Sequence, residues 1–171
     1  MTIVETERLA LRRFEPSDAP FVLRLLNEPS WIEHIGNKGV HTVDDAAKYL
    51  VAGPIAMYER IGFGLYLVEL KESREPIGMC GLIKREALSD VDVGFAFLPE
   101  HWGCGFAYES AAAIVDYGRR MLGLSRIVAI VSKTNPRSAR LLERLGFACE
   151  GTTSVSPGEE LLLFASGATD A

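Results

Sequence analysis

The sequence predicts a mixed α/β domain built on a single sheet. Short runs of β-branched and aromatic residues, typical of strands, alternate with longer segments whose apolar residues recur at helical spacing. Three of the strand-like runs are joined by only a few residues each, and connections this short predict antiparallel hairpins. The β-branched run over residues 126–131 lies between two helical segments and is typical of a strand buried on both faces. We therefore expect an antiparallel sheet that becomes parallel around this run.

The elements are predicted in the order strand, helices, three antiparallel strands, helix, strand, helix, two strands. The first strand is expected over residues 7–14, and helices over 17–27 and 43–60, the second with a kink or break at Gly53-Pro54. Residues 31–40 show no regular pattern. The later elements are strands over 64–70, 76–84 and 91–98, a helix over 108–121, a strand over 126–131, a helix from Asn135-Pro136, and strands over 147–155 and 160–164.

Length, composition and charge bound the class of protein. The chain has 171 residues, 48% hydrophobic and 24% charged, which is typical of one globular domain. We predict a single domain over residues 1–171, with a core over about 5–164 and a frayed tail over 166–171. The formal net charge of -5 disfavours nucleic acid and anionic membranes as partners. Apolar runs stay well short of the roughly 20 residues that span a bilayer, and the first residues lack the pattern of a signal peptide. We therefore expect a cytoplasmic protein, as a monomer or homodimer.

Cysteines and histidines give no pattern of metal ligands or disulfides. The sequence contains three of each, widely spaced: Cys80, Cys104, Cys149, His34, His41 and His101. No CxxC motif and no histidine pair at i, i+4 occurs among them. We therefore predict neither a disulfide framework nor a bound metal.

A glycine-rich turn, Trp102-Gly103-Cys104-Gly105-Phe106-Ala107, lies between a predicted strand and a predicted helix. Glycine allows close approach to backbone, and the first amides of a helix have no partner inside the helix and favour anions. The turn therefore predicts a pyrophosphate site. It lacks the third glycine and the acid of a dinucleotide-binding motif, and the Gly-Lys-Ser/Thr of a nucleoside-triphosphate loop. Taken alone, the stretch could equally be a glycine-rich connection without a ligand.

A second stretch, Asn135-Pro136-Arg137-Ser138 followed by Leu145-Gly146-Phe147, lies one helix and one strand further on. Together with the string from Pro99 to Glu109 and the opening Thr6-Glu7-Arg8-Leu9, it resembles the GNAT superfamily of acetyl-CoA-dependent N-acetyltransferases. Tryptophan at the start of the glycine turn resembles the RimJ/RimL-like branch, which acetylates protein N-termini. The resemblance covers residues 5–164. It implies the GNAT-like acyl-CoA N-acyltransferase fold, with a splayed central pair of strands.

The resemblance implies acetyl-CoA as co-substrate, held between the splayed strands over 91–98 and 126–131. Amides of the turn would bind its pyrophosphate, strand backbone its pantetheine arm, and the asparagine and serine of the second stretch its cysteamine end. The cofactor-binding residues predicted in this way are Phe97, Leu98, Trp102, Gly103, Cys104, Gly105, Phe106, Ala107, Tyr108, Asn135 and Ser138. Cys104 departs from the branch, which commonly has a basic residue there, and this departure is expected to weaken phosphate affinity.

This chain differs from the family pattern at the residue that protonates the leaving thiolate. Many members use a tyrosine seven residues after the motif asparagine, and Leu142 stands there in this chain. The branch's proposed substitute is the motif serine, which corresponds to Ser138. Capping or packing of the helix is the alternative role for Ser138. Thiolate is also a good leaving group near neutral pH, so a dedicated acid is not required.

This chain also differs from the family pattern at the position of the general base. Other branches use a carboxylate just before the motif asparagine, where this chain has Lys133. Asp92 is the predicted base, because alternation places it on the same strand face as Gly94 and Ala96. Gly94 itself predicts either a bulge or a point at which a ligand approaches the backbone, and amides near it are candidate donors to an oxyanion. The other candidate bases are Asp90, Glu86 and Glu150, and each carboxylate could instead be a solvated turn residue.

We therefore predict an enzyme, an N-acetyltransferase that transfers acetyl from acetyl-CoA to a primary amine by direct attack in a ternary complex. The acceptor is a protein N-terminus or a small molecule such as an amino acid, polyamine or aminoglycoside, and the net charge mildly favours a cationic one. The alternatives are a non-catalytic CoA-binding sensor or regulatory module, and a nucleotide-binding protein. Five aromatic residues are candidates for an acceptor pocket, with burial in the core as the alternative: Trp31, Tyr49, Tyr58, Phe63 and Tyr66.

Overall fold

A computed structural model of the chain describes residues 2–167, in which eight strands form one sheet. The strands are β1 (Thr2–Glu5), β2 (Leu9–Arg12), β3 (Leu65–Leu70), β4 (Pro76–Ile83), β5 (Asp92–Phe97), β6 (Arg126–Ser132), β7 (Ala148–Thr153) and β8 (Leu161–Gly167). The α-helices are α1 (Ala19–Leu26), α2 (Pro29–His34), α3 (Val43–Leu50), α4 (Ala56–Ile61), α5 (Phe106–Leu122) and α6 (Pro136–Arg144). Along the sheet the strand order is β1-β2-β3-β4-β5-β6-β8-β7.

The sheet is antiparallel except between β5 and β6, which run parallel. This mixed arrangement confirms the predicted fold class. Within the described residues, β5 and β6 are paired at a single position, Asp92 opposite Val128, where the Val128 amide donates to the Val91 carbonyl at 3.0 Å. Beyond that position the two strands separate towards their carboxyl ends. The predicted splay of the central strands is thereby confirmed.

Helices cover both faces of the sheet. On one face, Ile114 of α5 lies in a buried cluster with Phe97 of β5. On the other face, Leu25 of α1 lies in a second buried cluster, against which Ala96 of β5 packs. Because side chains alternate along a strand, Asp92 shares the face of Ala96, as predicted. The face covered by α1 and α3 is therefore the one towards which Asp92 points.

Two short elements lie outside the sequence-based prediction. β1 adds an edge strand to β2, and its four residues are too few to show an alternating pattern. α2 begins with Pro29 at its first position, so this proline starts a helix as well as following one. Trp31 anchors α2 and is only 6% exposed. Six residues make fewer than two helical turns, so an apolar stripe could not be recognised.

One expectation for the sheet is wrong, and one of the two alternatives at Gly94 is excluded. The pairing of β4 with β5 continues in register, with Gly94 opposite Gly81, so the predicted bulge is absent from this strand. Ser166 and Gly167, predicted to begin a frayed tail, belong to β8 and pair with the start of β6. Small polar residues join a strand when a neighbouring strand supplies the hydrogen-bonding ladder, which the local pattern does not reveal. The rest of the predicted tail, residues 168–171, lies outside the described residues.

The predicted break at Gly53-Pro54 is confirmed. A π-type segment, Val51–Ile55, separates α3 from α4 and contains Pro54. Proline has no amide hydrogen and its ring clashes with the carbonyl four residues earlier, so the helix widens locally instead of continuing as a regular α-helix.

Gly81 provides a test of the packing between β3 and β4. A Cβ atom at this position would lie 2.2 Å from the Gly64 carbonyl oxygen and 2.6 Å from Leu65 Cα. Both atoms are backbone and cannot rotate away, so Gly81→Ala is expected to lower the free energy of unfolding by about 3 kcal/mol. Urea unfolding measures the change. Gly53→Ala is the matched control, because its Cβ would meet open space and its stability is expected to hold or rise slightly. Equal losses in the two variants would contradict this account.

Candidate active site

The splayed strands open into a cleft with a volume of about 1530 Å³. The first turns of α5 and α6 line one side, and residues from α1 to α3 and the β4–β5 loop line the other. Nine of the predicted cofactor-binding residues border this cleft: Phe97, Trp102, Gly103, Gly105, Phe106, Ala107, Tyr108, Asn135 and Ser138. Asp92 borders it as well. Leu98 and Cys104 lie outside its lining.

The glycine turn presents bare backbone to the cleft. Gly103 and Gly105 have φ angles of 77° and 84°, in the left-handed region that favours glycine. Gly105 is the N-cap of α5, and no side chain caps the helix. Within the described residues, the amides from Gly103 to Tyr108 have no hydrogen-bond acceptor. These free amides, with the dipole of a 17-residue helix behind them, fit a pyrophosphate.

A charged contact holds the turn from behind. Glu109, in the first turn of α5, accepts hydrogen bonds from the Arg8 amide at 3.0 Å and from Arg8 Nε at 2.8 Å, and a further one from the Thr6 hydroxyl. Partial burial would raise the pKa of Glu109, but the hydrogen bonds from Thr6 and Arg8 lower it. Arg8 also donates to the Cys104 carbonyl at 2.9 Å. The opening motif and the glycine turn, far apart in sequence, therefore form one unit.

Three arginines on α6 place positive charge beside the turn. The guanidinium of Arg137 lies 4.9 Å from the centroid of the Trp102 ring, and that of Arg144 lies 4.4 Å from the centroid of the Tyr108 ring. Arg140 borders the cleft with them. These arginines, absent from the predicted site, occur at i, i+3 and i+7, a spacing that identifies one helix face. They supply cations near the turn that Cys104 does not.

The motif asparagine and serine bind each other. Asn135 is the N-cap of α6, where its side-chain oxygen accepts from the Ser138 amide at 3.3 Å. Its amide nitrogen also donates to the Ser138 hydroxyl oxygen at 3.0 Å. Since that hydroxyl oxygen accepts a hydrogen bond, its own hydrogen stays available for a ligand in the cleft. The capping role and a role towards a ligand are therefore compatible.

The backbone of β5 alternates between β4 and the cleft. The Leu98 amide donates to the Ile77 carbonyl of β4 at 3.0 Å. Antiparallel alternation therefore turns the backbone groups of Phe95 and Phe97 away from β4, towards the cleft. The Phe97 carbonyl is already occupied, since Trp102 Nε1 donates to it at 2.8 Å. The Phe95 amide and carbonyl and the Phe97 amide are left to face the cleft.

Asp92 is a buried carboxylate at the point where β5 and β6 meet. Its side chain is 1% exposed, and Arg85 Nε donates to its Oδ1 at 3.1 Å. Burial raises the pKa of Asp92 to about 6, against the lowering effect of Arg85. Asp90 and Glu150 are instead both paired with Arg126. Glu86 is exposed at the rim of the cleft.

The aromatic candidates divide into two groups. Trp31 and Tyr49 border the cleft, on the face of the sheet that carries Asp92. Tyr58, Phe63 and Tyr66 lie in the buried cluster on the α5 side, where Tyr58 and Tyr66 stack with ring centroids 5.5 Å apart. These three residues are therefore core residues, as the alternative interpretation proposed.

Two further features concern residues 2–167 as a whole. No helix in this range is long and apolar enough to cross a membrane. The same range contains no group of three or more His, Cys, Asp or Glu residues that could hold a metal ion. The absence of a metal from the reaction stays a prediction.

Glu109 tests whether the contact behind the turn shapes the phosphate site. Glu109→Gln removes the charge that holds Arg8 and Thr6, so the turn should loosen and the Kd for CoA should rise by about tenfold. Isothermal titration with CoA measures the change. Asp116→Asn is the control, since Asp116 pairs only with exposed Arg120 on the same helix. Unchanged CoA affinity in Glu109→Gln would show that the turn keeps its shape without this contact.

Comparison with known proteins identifies the family. A family model described as an acetyltransferase (GNAT) domain matches residues 8–148. An uncharacterized N-acetyltransferase of Bacillus subtilis (strain 168), YoaA, is 32% identical over 153 residues, which cover 87% of this chain and 84% of YoaA. A crystal structure of an acetyltransferase from Agrobacterium tumefaciens str. C58 has a TM-score of 0.84 at 25% identity, covering 98% of this chain and 95% of that one.

RimL, a ribosomal L7/L12 alpha-N-protein acetyltransferase solved in complex with coenzyme A, has a TM-score of 0.83 at 19% identity, covering 98% of both chains. At this identity the likeness is one of fold alone, and the RimJ/RimL-like branch stays a prediction. These relatives give no support to a non-catalytic module. The chain therefore belongs to the GNAT acetyltransferase family and is an enzyme that transfers acetyl groups to amines.

Proposed function

We propose that the acetyl donor is acetyl-CoA and that the acceptor is a small-molecule or peptide N-terminal primary amine, which attacks directly in a ternary complex. The observation that carries this proposal is the row of free amides from Gly103 to Tyr108 at the mouth of the cleft between β5 and β6. A polyphosphate with a long amide-bearing arm fits both features. The RimL structure, whose fold is similar, contains coenzyme A.

The chain offers a partner for each part of acetyl-CoA, which supplies an activated acetyl thioester when bound. The turn amides and the arginines of α6 would hold the phosphates. The cleft-facing backbone groups of Phe95 and Phe97 would pair with the pantetheine amides in the manner of an added strand. Asn135 and Ser138 would face the thioester end.

The Phe95 amide is the proposed donor to the developing oxyanion. It is the next cleft-facing amide of β5 beyond the position that pairs with β6. A fixed backbone N–H aimed at the carbonyl oxygen stabilises the charge that forms when the amine attacks. The continuous register of β4 and β5 holds this amide without a bulge.

Asp92 is the proposed base. It lies three residues before Phe95, roughly 10 Å along the strand, so a proton from the amine would reach it through water. Burial raises its pKa to about 6, so the carboxylate is ionised and still basic near neutral pH. Its Oδ1 is held by Arg85, which leaves Oδ2 to accept from water.

Direct transfer is favoured over an acyl-enzyme by the position of the cysteines. Cys80 is fully buried, and this burial raises the pKa of its thiol to about 12. Cys104 and Cys149 are exposed and lie outside the cleft lining. We further propose that the enzyme works in the cytoplasm as a monomer or homodimer, without nucleic acid, membrane or metal as partner.

The experiment that tests the proposed function measures free thiol released from acetyl-CoA with a panel of primary amines. Amine-dependent thiol release, with the acetylated amine identified by mass spectrometry, is the expected result. Tight CoA binding without release by any amine would instead indicate a non-catalytic module. In a thermal-shift competition, ATP binding in preference to CoA would contradict the assignment of the donor.

The pH dependence of wild-type enzyme and Asp92→Asn tests the base. Attack needs a neutral α-amine, with a pKa near 8, and an ionised Asp92, whose pKa is about 6. For the wild type, log kcat/KM should rise with a slope of about 2 below pH 6 and about 1 from there towards pH 8, because activity requires both groups to lose a proton.

For Asp92→Asn, log kcat/KM should rise with a slope of about 1 over the whole range up to about pH 8. Its kcat/KM near pH 7.5 should be about 100-fold lower than that of the wild type. Asp116→Asn, on the exposed side of α5, serves as the control with the wild-type profile. A break near pH 6 that persists in Asp92→Asn would assign the base elsewhere.

The proposed role of Ser138 as a proton donor is tested by varying the acidity of the leaving thiol. If its hydroxyl protonates the thiolate, Ser138→Ala should lower kcat by about tenfold with acetyl-CoA. The deficit should shrink with an acetyl thioester of a more acidic thiol, because that thiolate leaves without a proton. Ser125→Ala, at an exposed position outside the cleft, should match the wild type with both donors. An equal deficit with the two thioesters would assign Ser138 to capping alone.

A further inference from the structure

The acceptor side of the cleft contains a buried hydrogen-bond donor without a partner among residues 2–167. Trp31 is only 6% exposed, and its buried indole nitrogen has no hydrogen-bond partner within residues 2–167. The Tyr49 hydroxyl, on the same face of the sheet, also lacks a partner among the described contacts. An unpaired buried donor is costly, so a site that keeps the Trp31 indole N–H free is suited to a ligand that brings an acceptor.

Arg85 adds a charged fork to this side of the cleft. Its Nε donates to Asp92 Oδ1 at 3.1 Å, whereas Nη1 and Nη2 donate no hydrogen bond to any residue within 2–167. The side chain is 36% exposed and borders the cleft, so these nitrogens are accessible to a ligand. Two parallel N–H groups of a guanidinium match the two oxygens of a carboxylate.

The charged side chains near Arg85 do not form hydrogen bonds with its Nη1 and Nη2 atoms within residues 2–167. Lys84 Nζ donates to the carbonyls of Arg85 and Leu88, so it points back into the loop. Glu86 is exposed at the rim and forms no ion pair with Arg85 among the described contacts. Asp92 occupies only the Nε edge of the guanidinium. The net charge of the chain, which favours a cationic acceptor, therefore does not describe the local charge at this position.

We infer that Arg85 determines specificity by binding a carboxylate of the acceptor, and that the acceptor is a small amino carboxylate such as a free amino acid. The inference rests on the proposed function and refines its acceptor. Arg85 would hold the carboxylate while Asp92, on the other edge of the guanidinium, receives the proton of the amine. The carboxylate itself is unchanged: the C–N bond forms, the C–S bond breaks, the amine loses one proton and the departing thiolate gains one.

The first test compares amino carboxylates with their amides on the wild-type enzyme. Amino acids with one to four carbons between nitrogen and carboxyl carbon are each paired with the carboxamide of the same skeleton. Rates are expressed per neutral amine, since the amide has the less basic nitrogen. We expect kcat/KM to be at least about tenfold higher for the carboxylate of the best pair. Equal values, or a preference for polyamines or for peptides over free amino acids, would overturn the inference.

The second test assigns that preference to Arg85. Arg85→Gln should reduce the carboxylate-to-amide ratio by about tenfold or more, and Arg85→Lys should reduce it less, because charge remains but the fork is lost. Arg120→Gln is the matched control, since Arg120 Nε also pairs with an aspartate Oδ1, on the exposed face of α5. A ratio that persists in Arg85→Gln would restrict Arg85 to holding Asp92 and overturn the inference.

A binding measurement separates substrate recognition from catalysis. In the presence of CoA, calorimetry should detect the N-acetylated amino acid with wild-type enzyme and at least about tenfold weaker binding with Arg85→Gln, whereas the N-acetylated amide should bind both alike. If neither amines nor amino acids release thiol from acetyl-CoA, the proposed function itself fails. If amines react without regard to a carboxylate, only the assignment of Arg85 fails.

Discussion

The separation of β5 from β6 after one paired position is the constraint on which the site depends. Parallel neighbours in a sheet normally continue their ladder, and opening them leaves backbone donors and acceptors without partners. The two strands can open because each is held by its other neighbour. β5 pairs with β4 at six positions, and β6 pairs with β8 at seven. The gap is therefore a rigid slot whose unpaired backbone suits the amides of a pantetheine arm.

The anion site at the mouth of this slot is built from local charge, not from the charge of the whole molecule. The net charge is -5, yet three arginines of α6 and the free amides of the turn lie together at the proposed phosphate site. Glu109 would oppose an anion at the start of α5, but Arg8 and Thr6 bind it on the far side. The connection between β1 and β2 thus neutralises Glu109, the carboxylate that the motif places in the first turn of the helix.

Sequence reasoning found the elements whose signals are local and missed those that depend on distant partners. The glycine turn, the capping of α6 by Asn135 and the break at Pro54 follow from residue types at fixed positions. The pairing of Arg8 with Glu109 joins residues about a hundred positions apart, which no local pattern reports. The sequence pattern did not predict α2, because this helix is short and is stabilised by the burial of Trp31 in a cluster with residues from other elements. Likewise, the alternation that turns Phe95 and not Leu98 towards the cleft is fixed by the register with β4.

Asp92 shows how the demands of chemistry and stability oppose each other at this site. Its pKa in the folded chain is about 6, above the ordinary value of 3.8, so the folded state binds the proton more tightly than the unfolded state. Stability from this group is therefore complete below about pH 4 and is lost as pH rises through about 6, at a cost on the order of 3 kcal/mol at neutral pH. Arg85 reduces this cost by pairing with the carboxylate, but only through Nε. A fully satisfied ion pair would stabilise the fold further and would remove both the proposed base and the guanidinium nitrogens proposed to bind a carboxylate. The incomplete pairing of Asp92 with Arg85 is thus what leaves each group available for its proposed role.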